Sequence, residues 1–194
     1  MSKGFVNYLR SYPEYIPLNK PVASHYLFCF MLGALSGFVA AWGNTLYIGV
    51  YAPFIWVSRR AASWLGACLI APVIEELVKP LGLFMLRSEE RVKLPTIEWA
   101  KLGLVAGLGF ALLENAFYVV RALLEQGMAV ALVLLAVRTV LSLPMHVVNT
   151  SVVAYGFGWW SNTNEPARYG ICLSLAIVHH GVYNAFVLYL GEIA

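Results

Sequence analysis

Residues 70–83 read IAPVIEELVKPLGL and place Glu75, Glu76 and Lys79 inside an otherwise apolar run. Side chains three and four residues apart are neighbours on a helix, so the lysine can reach either carboxylate. A charge at the centre of a bilayer costs roughly 2.5–3.5 kcal/mol even on the lenient insertion scale. Ionisable groups inside a span are therefore candidates for a functional site.

Two prolines flank these charges. Pro72 is expected to deprive the Cys68 carbonyl of its helical donor, and Pro80 is expected to do the same to the Glu76 carbonyl. Broken backbone at membrane depth is tolerated where protein surrounds it or where it lines a wet cavity. The stretch thus predicts an interrupted helix beside a cavity that water can reach.

The composition is that of a membrane protein, since 60% of the 194 residues are hydrophobic and 12% are charged. We expect an all-α bundle of about five to seven transmembrane helices with a buried polar site. An N-terminal arm over 1–21 would precede a single transmembrane domain over 22–194. The sequence has no cluster of basic residues that would indicate nucleic acid as a partner. The three cysteines are expected to be small core residues.

Apolar runs predict the spans 22–42, 61–86, 99–124 and 169–190, with 128–160 as one helix kinked at Pro144 or two short helices. The apolar stretch 45–57 is too short for an ordinary span. If it does not cross, most lysines and arginines lie on the side of the N-terminus, which favours five crossings with that end cytoplasmic.

Further polar groups interrupt the other spans. They are Glu114, Asn115, Arg138, His146, His179, His180 and Asn184. His180 and Asn184 share a helix face and can hold one substrate group together. At about 3 kcal/mol for each charged group in the spans, the unpaired cost would be ~15 kcal/mol, which matches the stability of a whole domain. The charged groups are therefore expected to converge.

A structural role can account for each group taken alone. A Lys–Glu pair can fix helix register, and Arg138 can extend to an interface. His179 is expected to pack rather than to act chemically, and Tyr118 and Tyr183 are expected to be core aromatics. Four separate segments place acid, base or amide groups at similar depth. A purely structural role for every one of these groups is therefore less convincing than it is for any one of them alone.

Three familiar patterns of intramembrane proteases do not fit the chain. There is no Asp for a pair of catalytic aspartates, and no HExxH for zinc. The rhomboid-type GxSG pattern is absent, since GALSG at 33–37 has one residue too many. A constellation of Glu, His and Asn remains.

This constellation resembles the PrsW family of intramembrane proteases, which is related to the type II CAAX prenyl protease and bacteriocin-processing superfamily. The family's EExxK motif matches residues 75–79, and its HGxY motif ending in Asp or Asn matches residues 180–184. Its remaining motifs match Phe110, Glu114, Asn115 and Tyr118, and then Arg138 and His146. The Glu114 position is a histidine in the CAAX branch, which places this chain on the PrsW side.

The resemblance implies an intramembrane endopeptidase in a bacterial or archaeal cell membrane. Glu75 would activate water, Glu76 would orient it or share its proton, and Lys79 would balance their charge. His180 and Asn184 would bind the oxyanion. Glu114, His146, Arg138 and Asn115 would complete or support the pocket. The substrate would be a membrane-embedded single-span protein such as an anti-sigma factor, cleaved in regulated intramembrane proteolysis.

The part played by a metal is open at this point. Zinc could bind to Glu76, Glu114, His146 and His180, and the family is often labelled a metalloprotease, whereas its CAAX relatives have been interpreted as metal-free glutamate enzymes. We favour the metal-free interpretation, because two acids that share a proton need no metal. There are two alternatives to a protease. One is a proton-coupled transporter with a proton relay through Glu75, Glu114 and His146, and the other is a non-catalytic membrane scaffold.

Overall fold

A computed structural model of the chain describes residues 20–47, 58–88 and 94–193. Regular structure in these ranges is entirely helical, which confirms the predicted all-α class for this part of the chain. Most of the arm predicted over 1–21, and most of the short apolar stretch 45–57, lie outside the described residues.

The helices follow one another along the chain with short connections. They are α1 (Ala23–Leu46), α2 (Arg59–Leu65), the π-helical segment π1 (Gly66–Ile70), α3 (Ala71–Val78), α4 (Leu81–Arg87), α5 (Thr96–Gln126), α6 (Met128–Val137), the π-helical segment π2 (Arg138–Ser142), α7 (Leu143–Thr163) and α8 (Ala167–Ile193). In two places a π-helical segment joins two α-helices into one continuous helix.

Four helical stretches in the described ranges are long and apolar enough to cross a membrane, namely Ala23–Leu46, Thr96–Gln126, Met128–Thr163 and Ala167–Leu190. The protein is therefore an integral membrane protein. The predicted count of five to seven spans is not confirmed, because the expected span 61–86 is broken at Lys79–Pro80, where Pro80 leaves the helical conformation (φ −80°, ψ 8°).

The long helix α5 lies at the centre of the bundle and packs against α7 on one side and α1 on the other. Its glycines allow this close approach, as the sequence predicted. A methyl group at Gly107 would lie 2.8 Å from the His146 carbonyl, and one at Gly109 would overlap the Phe30 carbonyl. This packing fixes the position of His146 on α7 relative to the polar side chains of α5.

Both π-helical segments end just before a proline. The Ala71 N–H donates to the Gly66 carbonyl, five residues back, and in this register the Ala67 carbonyl would need a donor from Pro72, which has none. The prediction that the Cys68 carbonyl loses its donor is therefore corrected to Ala67. π2 stands in the same relation to Pro144, so 128–163 is one helix with a π-helical insertion rather than two short helices.

The largest apolar cluster in the described ranges lies at one end of the bundle, where α1, α4, α5 and α7 meet. Cys29, Leu83, Trp99, Leu102 and Phe157 are fully buried there. Cys29 is buried, as predicted for all three cysteines, whereas Cys68 and Cys172 are only partly buried, so the prediction is wrong for these two. This cluster holds the bundle together away from the charged side chains.

Candidate active site

Glu75, Glu76, Lys79, His146 and His180 converge between α3, α7 and α8, and each is at most 4% exposed. The two glutamates and the lysine come from one turn of the interrupted helix. His146 comes from α7, just after π2, and His180 comes from the middle of α8. The convergence predicted from the cost of isolated charges is present in the structure.

Lys79 is fully buried and joins the members of this cluster. Its Nζ lies 2.7 Å from Glu76 Oε1, 3.7 Å from Glu75 Oε2 and 2.8 Å from His146 Nδ1. It also lies 4.4 Å from the centre of the Phe110 ring, a cation–π distance. An ammonium group can only donate hydrogen bonds, so His146 Nδ1 accepts from it and the imidazole proton lies on Nε2.

His180 is held in one orientation by Glu76. Its Nδ1 lies 2.9 Å from Glu76 Oε1, and a carboxylate accepts, so Nδ1 carries the proton. The other ring nitrogen, Nε2, is then an acceptor, and it lies 3.8 Å from Glu75 Oε2. Glu76 therefore orients the imidazole that faces Glu75.

Glu114 and Arg138 form a second ion pair beside the cluster. His146 Nε2 donates to Glu114 Oε2 at 2.8 Å, and an Nη of Arg138 donates to the same oxygen at 2.7 Å. The Arg138 Nε donates to Asn115 Oδ1 at 2.8 Å, and the guanidinium lies 3.9 Å from the centre of the Tyr118 ring. Arg138 thus binds inward to Glu114 rather than extending to an interface.

A cavity of about 540 Å³ adjoins the cluster. Glu75, Glu114, Arg138, His146 and His180 are among the residues that line it, together with apolar and small side chains from α1, α6 and α8. Glu75 Oε2 and Glu76 Oε2 are buried and have no hydrogen-bond partner among the described residues. Of these two carboxylates, only that of Glu75 lines the cavity.

Two of the predicted polar groups are engaged elsewhere. Asn184 lines the cavity, but its Nδ2 donates to the Ala67 carbonyl at 2.8 Å, the carbonyl that Pro72 leaves without a donor. His179 lies 2.7 Å from Asn149 Oδ1 and joins α8 to α7 away from the carboxylates, as expected of a packing residue. Asn184 is thus a structural link between α8 and π1 in this conformation.

The expectation that Tyr118 and Tyr183 are core aromatics is wrong. Tyr118 is 47% exposed and forms the platform on which Arg138 stacks. Tyr183 is half-buried and lines the cavity. Both residues line the cavity beside Glu114 and Arg138.

The sequence also matches a protein-family model described as PrsW family intramembrane metalloprotease, over residues 21–194. The chain belongs to the PrsW family. Comparison with curated proteins and with solved structures gave no match. Membership of the PrsW family, together with the apolar helices, supports a hydrolase of the intramembrane protease class.

Two polar residues that line the cavity of this PrsW protein, Asn44 and Ser142, were missed from the sequence. Asn44, near the end of α1, lines the cavity beside Glu75. It stands next to Gly43, where a methyl group would lie 3.3 Å from the Ile74 side chain, so α1 and α3 pack closely here. In the sequence, an amide near the end of a predicted span looks like an interfacial residue, so Asn44 was not recognised as a cavity residue.

The family model is described as a metalloprotease, and a metalloprotease needs several donor atoms placed around one metal ion. Glu75, His146 and His180 each offer one ligand atom, all within 4.8 Å of one another, and three ligands with a water suit catalytic zinc. This set differs from the predicted one, which contained Glu76 and Glu114 instead of Glu75.

The arrangement does not fit a zinc ion. Both ring nitrogens of His146 are already engaged, Nε2 with Glu114 and Nδ1 with the Lys79 ammonium. A dication at this point would lie next to the buried Lys79 ammonium, and like charges repel strongly in a buried site. Only Glu75 and the acceptor nitrogen of His180 remain as donors.

Proposed function

We propose that this protein is an intramembrane endopeptidase that hydrolyses a peptide bond of a membrane-anchored protein, with water activated by Glu75. The observation that carries the proposal is the position of Glu75 Oε2. This oxygen is buried, unpartnered among the described residues and 3.8 Å from the acceptor nitrogen of His180 on a cavity wall.

Two acceptors at this separation can share one water molecule, since a hydrogen bond to either spans about 2.8 Å. Glu75 removes a proton from that water as the oxygen attacks the carbonyl carbon of the substrate. The C–N bond then breaks, and Glu75 returns the proton to the leaving amine. Glu76 keeps the His180 imidazole in the tautomer that presents an acceptor to the water.

Negative charge develops on the carbonyl oxygen during the attack. Arg138 and Arg121 both line the cavity, and Arg121 is an exposed residue paired with Glu125. The Arg138 guanidinium adjoins the cluster and has N–H groups beyond those bound to Glu114 and Asn115. We assign to it the stabilisation of the oxyanion. The roles expected of His180 and Asn184 are reassigned, because their donors are bound to Glu76 and Ala67.

The charge balance supports a mechanism without a metal. Glu75, Glu76 and Glu114 face Lys79 and Arg138, so one negative charge is in surplus when all three acids are ionised. One proton held among the carboxylates removes this surplus. Glu75 can gain and lose that proton, because Glu75 and Glu76 each have an Oε2 without a hydrogen-bond partner among the described residues, and of these two only Glu75 lines the cavity.

The surroundings of the cavity support the proposed substrate class. Apolar side chains of α6 and α8, among them Leu134, Val137 and Val187, line its outer wall. Such a wall suits an apolar segment arriving from the bilayer, as in a single-span protein of the anti-sigma-factor kind. We further propose that Arg59–Arg87 acts as a fifth, broken crossing that carries Glu75 to this depth.

The proposal is tested by cleavage in liposomes that contain the purified protein and a panel of single-span substrates. The wild type should cleave at least one of them, and Glu75→Gln should cleave none while keeping its helix content. Glu98→Gln, which changes a glutamate paired with Lys101 outside the cluster, should cleave normally.

Three outcomes would contradict the proposal. Cleavage by Glu75→Gln at the wild-type rate would remove Glu75 from the chemistry. No cleavage by the wild type, combined with proton flux that depends on Glu75 and Glu114, would favour the proton-coupled transporter. No cleavage and no flux would favour the membrane scaffold.

A further inference from the structure

Asn44 is a polar cavity residue to which the mechanism above gives no role. It reaches the cavity from α1, whereas the charged groups come from α3, α5, π2, α7 and α8. Its Oδ1 is buried and has no hydrogen-bond partner in the ranges that the structure describes. A buried amide oxygen without a partner is costly, and such a group needs an explanation.

The surroundings of Asn44 indicate what it would bind. It lines the cavity together with Glu75, and its Oδ1 receives no hydrogen bond from the described residues. This oxygen is thus an acceptor beside the cavity for which a bound molecule can supply the donor. The donor that a peptide substrate offers at every residue except proline is its backbone N–H.

The wall around Asn44 leaves room for a backbone to approach. Its neighbours on the cavity side of α1 are Gly37, Ala40 and Ala41, and π1 and α3 contribute Ala67 and Ala71. These side chains are small, so an extended peptide can lie against them. The other amide of the cavity, Asn184, has its N–H₂ bound to the Ala67 carbonyl.

We propose that Asn44 is a substrate-binding residue whose Oδ1 accepts a backbone N–H of the extended substrate segment next to the scissile bond. Because Asn44 and Glu75 line the same cavity, this hydrogen bond would set the position of the peptide relative to the general base. The role rests on the proposed function, since it concerns the substrate of the same site.

The test uses synthetic single-span peptides in which one backbone N–H at a time, within a few residues of the cleavage point, is replaced by N–CH₃. Asn44→Ala should lower kcat/KM for the unmodified peptide roughly tenfold to a hundredfold, as loss of a hydrogen bond in a dry site does. At one position, N-methylation should slow the wild type by a similar factor while slowing Asn44→Ala little further.

Thr45→Val is the matched control, because the Thr45 hydroxyl donates to the Ala41 carbonyl of its own helix and does not line the cavity. It should behave as the wild type does. If N-methylation at every position slows Asn44→Ala as much as it slows the wild type, Asn44 accepts no substrate N–H and the inference is overturned.

A binding measurement separates this inference from the proposed function. The unmodified peptide, labelled with a fluorophore, is titrated into Glu75→Gln and into the double variant Glu75→Gln/Asn44→Ala. The inference predicts affinity weaker by roughly tenfold in the double variant, whether or not the wild type cleaves the peptide. Equal affinities would overturn it even if cleavage depends on Glu75.

Discussion

At the scale of single residues, Lys79 determines whether three acids can lie together in the bundle. Its ammonium contacts Glu76, Glu75 and His146, and the side chain is fully buried. Removing one partner of a buried ion pair leaves the other charge uncompensated. Lys79 is also close to the place where a metal would otherwise supply positive charge.

Lys79→Met is therefore expected to lower the free energy of unfolding by about 3–5 kcal/mol and to abolish cleavage. Unfolding can be followed in detergent micelles by circular dichroism. Lys101→Met is the matched control, because the Lys101 side chain is 49% exposed where it pairs with Glu98, and exposed pairs contribute little. Equal effects of the two substitutions would contradict this account of the buried cluster.

Much of the residue set could be predicted from the sequence. The cost of charges inside apolar runs identified Glu75, Glu76, Lys79, Glu114 and Arg138, and all five lie in one connected group. Which atom pairs with which could not be predicted, because it depends on how α5, α7 and α8 rotate against one another. The clearest example is His146, whose two ring nitrogens contact Lys79 and Glu114.

At the scale of the elements, the contact between α8 and π1 holds His180 in place. Gly181 lies against the Cys68 carbonyl, and Asn184 donates to the Ala67 carbonyl one turn further along α8. The sequence showed the proline at 72 but not the π-helical register, because an i→i+5 turn has no residue signature of its own. The partner of Asn184 therefore could not be foreseen.

Gly181→Ala is expected to push α8 away from π1, because the new methyl group would overlap the Cys68 carbonyl. The displacement would shift His180 relative to Glu75 and lower kcat/KM roughly tenfold or more, with a loss of stability of about 1–3 kcal/mol. Both quantities can be measured on the purified protein.

Gly170→Ala is the matched control for Gly181→Ala, because it makes the same substitution on the same helix. A methyl group at Gly170 would meet nothing within 4 Å among the described residues. It should leave cleavage unchanged and stabilise the helix by up to about 1 kcal/mol. Unimpaired cleavage by Gly181→Ala would show that the α8–π1 contact does not position His180.

At the scale of the whole molecule, the spans set which side of the membrane each loop faces. Four spans are evident from helix length, and a fifth crossing by Arg59–Arg87 belongs to the proposed topology. With the N-terminus cytoplasmic, Ser88 faces the cytoplasm and Gln126 faces outward. The sequence predicted these spans well, because long apolar runs specify membrane helices almost alone.

Single-cysteine labelling tests this topology in cells, on a variant in which Cys29, Cys68 and Cys172 are replaced. Gln126→Cys should react with a membrane-impermeant maleimide from outside intact cells. Ser88→Cys should react only after the membrane is opened. The reverse pattern would contradict this topology, because it requires either the inverted orientation or an Arg59–Arg87 segment that does not cross. Outside labelling of both would contradict a crossing by Thr96–Gln126, which separates the two positions.

The central claim is that Glu75 activates water without a resident metal. The measurement that tests it most directly is the cleavage rate of a single-span substrate by wild type and by Glu75→Gln, before and after exhaustive chelation, with the metal content of the same samples determined. We predict unchanged cleavage by the chelated wild type and none by Glu75→Gln. Loss of cleavage on chelation, restored by added zinc, would contradict the claim and make Glu75, His146 and His180 metal ligands.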